Sequence, residues 1–275
     1  MCTVIVRVAP GTAWPVTLLA LRDESPERPW DPPGAWWPTM GQEVRGVHDR
    51  SAGGAWLAVS DRTRSLAVVL NRSPDEPVPA TPTTRGTLPL DAVVYGRVPA
   101  GTPTARPFNL VHADAEGVRV TSWDGVEVRT SALAAGVHMI AETAADDRRV
   151  PRIGRWLDAF REGSAPAVPP SVDPAEALAG AAFGAGLGAA AAGGAGAGLG
   201  AAAGAWAPWF QVLDASRRLD PTDPEAIVRD HTGPDGRFTT LSVVSAAIGT
   251  EGVVLRHSRL DAPAAIDGGV RVGHA

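Results

Sequence analysis

Ten short segments of β-branched or alternating residues dominate the chain: CTVIVRVA, VTLLALRD, GAWLAVSD, SLAVVLNR, PFNLVHAD, GVRVTSWD, GVEVRT, GVHMIAET, RFTTLSVVSA and GVVLRHS. Most are bounded by Gly, Pro, Asp or Ser, and each is too short for a buried helix. Helical patterns are fewer. Residues 85–96 (with Pro89 in the first turn), 152–162, 205–217 and 223–230 have workable apolar spacing. Ile153, Trp156, Leu157 and Phe160 fall on one face of the second. Because strands follow strands without a regular β-α-β alternation, the sequence predicts an α+β layered fold and not a doubly wound one. SWDG predicts a tight hairpin with Gly125 in the turn.

One stretch breaks the pattern. Residues 164–205 begin Pro-rich and become almost pure Ala and Gly, and no charge occurs between Glu176 and Asp214. Such a run raises a membrane span. Ala and Gly offer little apolar area, however, and each helix-interior Gly costs about 1 kcal/mol. The segment reads as a flexible low-complexity insertion within a single domain spanning 1–275, with a flexible tail at 266–275 and no membrane partner.

With a net charge of -5, the chain lacks the basic balance that nucleic-acid partners require. One cysteine excludes an internal disulfide and a Cys-rich zinc site, so no metal is expected. The N-terminal strand carries Arg7, Pro10 and Gly11 in place of a signal peptide's apolar core, which predicts a cytoplasmic protein.

That cysteine is Cys2, directly behind Met1. Removal of Met1 would leave a thiol beside a free α-amine, a recognised way to make a nucleophile because the amine can accept the thiol proton. LLALRDE ends the second strand in Arg22, Asp23 and Glu24. If strands one and two pair, Arg22 lies near Cys2 and favours its thiolate, while Asp23 holds the amine. Residue types alone equally allow a solvated turn at 22–24 and a small core residue at Cys2.

The order Met1-Cys2, Leu21-Arg22-Asp23-Glu24 with Arg28-Pro29, Gly53-Gly54-Ala55-Trp56-Leu57, Leu70-Asn71 and Phe108-Asn109-Leu110 resembles the family named for its Asn-Arg-Asp-Glu motif. This is the transport and Golgi organisation 2 family, and the likeness covers roughly residues 1–140. That family looks like the N-terminal-nucleophile hydrolases, especially the choloylglycine hydrolase and penicillin V acylase group. The resemblance implies an αββα four-layer sandwich of two antiparallel sheets, and hydrolysis of an amide or thioester of a small acyl substrate. It makes Cys2 the nucleophile, Arg22 and Asp23 its supports and Asn71 an oxyanion donor, with Asn109, His138 and Arg237 as further candidates. Leu21 replaces the motif's asparagine, and Gly136-Val137-His138-Met139 stands where the family has Gly-Leu-Ser-Asn. On this alignment Met139 occupies an oxyanion-binding position and cannot donate the bond.

The resemblance implies no cofactor, but it opens an alternative: a non-catalytic carrier of haem or an acyl lipid in the same cleft. Trp30, Trp36 and Trp37 would then cover a flat apolar ligand, with His48, His112 or His138 as axial ligand.

Overall fold

The computed structural model describes residues 1–72, 82–99, 102–163, 206–233, 236–250, 252–260 and 272–273. The Ala/Gly segment at 164–205 and most of the tail lie outside these residues.

Among the described residues, fourteen strands form two sheets of seven, antiparallel throughout. The first sheet runs in the order β10 (Gly136–Ile140), β1 (Thr3–Val8), β2 (Val16–Glu24), β12 (Gly236–Ile248), β13 (Val253–Leu260) and β14 (Val272–Gly273). A short β11 (Asp230–Gly233) pairs with β12 off this path. The second sheet is a meander: β3 (Trp30–Gly34), β4 (Val44–Asp49), β5 (Gly54–Ser60), β6 (Ser65–Asn71), β7 (Phe108–Asp114), β8 (Gly117–Trp123) and β9 (Val128–Ala132).

Two hydrophobic cores fix the layer order. Val4, Val6, Leu18 and Ala20 of the first sheet pack against the second sheet. That core continues through the second sheet to Leu90 and Val93 of α1 (Thr87–Tyr95). On the opposite face, Ile5, Leu19, Leu21 and Met139 pack against α2 (Pro151–Glu162) and α3 (Ala207–Ser216). The layers therefore run α2/α3, first sheet, second sheet, α1. This is the four-layer αββα sandwich expected above. Both faces of β1 and β2 are covered, which is why TVIVRV and VTLLAL read as apolar runs and not as strict alternation. Ile153, Trp156, Leu157 and Phe160 form the buried stripe of α2, each worth about 1.5–3 kcal/mol of burial. Among the described residues no helix is long and apolar enough to cross a membrane.

The structure departs from the sequence reading at three places. Residues 223–230 do not form a helix. Their amides go to side chains: Glu225 N donates to Asp223 Oδ1 (2.8 Å), Ile227 N to Ser216 Oγ (2.7 Å) and Arg229 N to Thr240 Oγ1 (2.9 Å). With these donors diverted, the backbone ladder of a helix cannot form. Residues 30–34, absent from the ten segments read as strands, form an edge strand, β3. Its register breaks between Asp31 and Gly34, across the two prolines that cannot donate to a ladder. Finally, β4 carried too weak a pattern (VRGVHD) to be picked out. Gly46 gives it room, since a Cβ there would meet Leu57 O.

Candidate active site

The β1–β2 register decides the site. Thr3 pairs with Leu21, so continuing one residue sets Cys2 opposite Arg22. Cross-strand partners share a face, and both side chains line one cavity of about 560 Å³ at the end of the sandwich. Asp23 and Glu24 of β2 line it too, as do Trp56 of β5 and both Val69 and Asn71 of β6.

Cys2 is buried, and its thiol donates to Asp23 O over 3.5 Å. Burial, and after it the Asp23 charge, pushes the thiol up to about 11, while the terminal ammonium and Arg22 pull the other way. With Met1 in place the sulfur is therefore almost entirely protonated at neutral pH. The Met1 ammonium lies 3.2 Å from Asp23 Oδ2, and Asp23 Oδ1 accepts from Thr240 Oγ1 (2.7 Å). The carboxylate is thus pinned by β12 and turned toward the terminal amine. Thr240 stands where β12 departs from its register with β2, between Thr240 and Ser242.

Arg22 is 2 % exposed. Its guanidinium lies 5.4 Å from the Trp30 ring centroid and 3.6 Å from Glu24, and burial lowers its pKa. Arg22 Nη1 is buried with no hydrogen-bond partner among the described residues. A buried charge with an unused donor is costly, and here that donor belongs to a side chain lining the cavity.

Elsewhere the structure separates the other candidates from the cavity. Asn109 is buried, and both hydrogens of its amide are committed, to Ala141 O (2.8 Å) and Thr143 O (2.7 Å). It ties β7 to the turn after β10 and has no donor left for a substrate. His138 has both ring nitrogens engaged, with Asp146 (2.8 Å) and Ala134 O (2.9 Å), which also removes it as an axial ligand. Arg237 is exposed and bidentate to Asp230. The placement of Met139 is corrected as well. It pairs with Ile5, and both point into the helix-side core, so Met139 displaces no donor from the cavity. The Gly-Leu-Ser-Asn alignment failed because side-chain facing depends on β1–β10 register, which one strand's sequence does not carry.

The tryptophan cover also dissolves. Trp30 is buried beneath Arg22 and Arg259. Trp36 and Trp37 pack on His48, whose Nδ1 meets Asp31 (2.9 Å). His112 is buried in β7, with its pKa lowered by that burial. None of these three tryptophans and two histidines lines the cavity.

Sequence reasoning missed two arginines behind the nucleophile. Arg152 of α2 is buried, donating to Thr3 Oγ1 (3.0 Å) and to Glu142. It braces β1 one residue from Cys2. Arg229 is half-buried, within electrostatic reach of Asp23, Glu142 and Arg152. No local motif marks either; both rest on contacts between distant segments.

Of the Gly53-Gly54 pair, Gly54 has a plain steric role. A Cβ on Gly54 would sit 2.5 Å from the Gly86 backbone, where Ala55 N donates to Gly86 O (2.8 Å). This contact seats the start of α1 against β5 and sets the cavity rim. Gly54→Ala is expected to cost about 1–3 kcal/mol by chemical denaturation, through forced separation of these backbones.

A family model described as transport and Golgi organisation 2 matches residues 1–167. No curated protein matches the sequence. Solved structures resembling it include penicillin V acylase from Agrobacterium tumefaciens, at 11% identity over 94% of this chain and 86% of that one, TM-score 0.41. The C2A mutant of conjugated bile acid hydrolase from Clostridium perfringens is 10% identical over 100% and 96%, TM-score 0.39. A Caenorhabditis elegans ortholog of N-acylethanolamine-hydrolyzing acid amidase is 11% identical over 58% and 80%, TM-score 0.39.

Proposed function

Since the chain belongs to the transport and Golgi organisation 2 family, whose model spans Cys2, Arg22, Asp23 and Asn71, we propose that it is an N-terminal-cysteine acyl hydrolase, active once Met1 is removed. The observation that carries this reading is the gathering of Cys2, a carboxylate holding the terminal amine, and a buried arginine with a free Nη1 at one cavity.

In this reading, loss of Met1 uncovers the sulfur and places the α-amine of Cys2 itself beside Asp23. The amine takes the thiol proton, and Arg22 favours the thiolate. Sulfur attacks the carbonyl carbon of an amide or thioester, forming a C–S bond while the carbonyl oxygen becomes anionic. Asn71 supplies a hydrogen bond to that oxygen; loss of such a donor costs about 100- to 1000-fold. The ammonium returns its proton to the leaving amine or thiol as the tetrahedral centre collapses. Water, deprotonated by the same amine, then cleaves the thioester and frees the carboxylic acid.

The cavity's character favours a small polar acyl compound over carriage of haem or lipid. Arginines, carboxylates, threonines and Asn71 make up most of its lining. A flat apolar ligand would strip these groups of water without replacing their hydrogen bonds.

Intact-mass measurement tests the proposal. The Met1-free chain, mixed with a short-chain acyl thioester, should gain one acyl group on Cys2 and lose it over time. A native chain with an unmodified Cys2 at saturating thioester would refute it.

A further inference from the structure

Outside the nucleophile cluster, the cavity holds a second group of charges. Residues 83–85 and 104–107 run side by side along its rim. Thr83 and Ala105 form an isolated parallel bridge, Thr83 N donates to Thr104 O (3.2 Å), and the two threonine hydroxyls lie 3.0 Å apart. Arg85 Nη1 donates to Pro107 O (2.9 Å), and Trp123 Nε1 anchors Ala105 O (3.0 Å). This pairing brings Arg85 and Arg106 to the wall of the same cavity as Cys2.

The charges there do not balance. Every lining carboxylate is taken: Asp49 by Arg28 (2.7 Å), Glu24 by Arg22 (3.6 Å) and Arg28 (3.7 Å), and Asp23 by the terminal ammonium (3.2 Å). Arg85 and Arg106 have no ion-pair partner among the described residues. They also oppose each other: burial, and next the neighbouring Arg106 charge, lowers the pKa of Arg85. Two guanidinium groups thus stand near each other, one half-buried, and among the described residues neither has a carboxylate in ion-pair contact. Exposure of Arg106 leaves its fork free to turn toward an incoming anion.

We propose that Arg85 and Arg106 form an anion subsite on the rim of the Cys2 cavity, and that the substrate carries a carboxylate or phosphate group which this pair reads. Planar guanidinium forks match either group through paired N–H···O bonds. Arg85 is within electrostatic reach of Cys2, so an anion held there places the adjoining acyl carbon near the sulfur. As a statement about substrate, this rests on the acyl-hydrolase reading; as a statement about binding, it does not.

Calorimetric titration of the full Met1-free chain at low ionic strength, with glutarate in one arm and inorganic phosphate in the other, tests the subsite. At least one anion should bind saturably, and the arm that binds tighter identifies the group. Arg106→Gln, which alters an exposed side chain, should weaken that binding about tenfold, as loss of a charge-assisted hydrogen bond does. Arg85→Lys should retain part of it, and Arg85→Gln/Arg106→Gln should abolish it. No binding of either anion, or equal binding by wild type and Arg106→Gln, would overturn the subsite. Neutral iodoacetamide reports separately on Cys2 in the wild-type chain. Arginine-dependent anion binding beside an inert Cys2 would sink the hydrolase reading and leave the subsite standing. A reactive Cys2 without arginine-dependent binding would sink the subsite alone.

Discussion

Cys2→Ala in the Met1-free chain is expected to reduce thioester hydrolysis about 1000-fold or more, to the background rate, while the fold persists. Sulfur supplies the attacking electron pair in the proposed chemistry, and no other cysteine exists to replace it. The alanine methyl occupies much of the same space, so stability should fall by only about 1 kcal/mol. Arg22→Met provides a graded comparison. It keeps the buried bulk over Trp30 but removes the charge facing the sulfur, so the rate should fall by about 10- to 100-fold with the thiol pKa raised. Single-turnover rates for the three proteins separate the loss of nucleophile from the loss of its activation. Equal rates for wild type and Cys2→Ala would remove the sulfur from the mechanism.

Arg152→Met is expected to destabilise the domain by about 3–5 kcal/mol in urea unfolding. Arg152 is 1 % exposed and crosses from α2 to the start of β1, where it satisfies Thr3 Oγ1 and pairs with Glu142. Removing it deprives the partly buried Glu142 carboxylate of its direct ion-pair partner, leaving only the more distant Arg229 charge. The ordering of variants checks this cause. Arg152→Met/Glu142→Gln should recover part of the loss, because the uncompensated charge is gone. If the double variant is no better than the single, the damage comes from packing at α2 instead. The same brace holds the strand that carries Cys2, so Arg152→Met should also slow labelling of the thiol.

The sequence carried the sandwich well because its elements are locally decided. β1, β2, β5, β6 and β7 are dense in Val, Leu and Ala, with polar residues gathered at their ends, and α2 shows its stripe at helical spacing. Asp124 and Gly125 likewise announce their hairpin. Asp124 Oδ1 accepts from both Val126 N and Glu127 N at 2.8 Å, and Gly125 takes φ +104°. The proximity of Cys2 and Arg22 was legible for a related reason: adjoining strands linked by a short turn leave few registers open. Met139 was misplaced because β10 reaches β1 from far along the chain, and a shift of one residue swaps cavity for helix-side core. Asn109, His138 and Arg237 have the right chemistry as residue types, but each spends its donors on a neighbour that no spacing rule reveals. Arg85 and Arg106 were missed because they carry no motif. Their meaning comes from the bridge between Thr83 and Ala105 and from the absence of a counter-charge among the described residues.

The pH dependence of Cys2 alkylation by iodoacetamide bears most directly on the account. With Met1 present, burial and Asp23 hold the thiol at about 11, and labelling at neutral pH should be slow. After Met1 removal the sulfur is uncovered, and its own ammonium joins Arg22 in favouring the thiolate. The labelling curve should then move well below 11 and give rapid modification near neutral pH. A native Met1-free chain whose Cys2 still titrates near 11, or does not react at all, would contradict it.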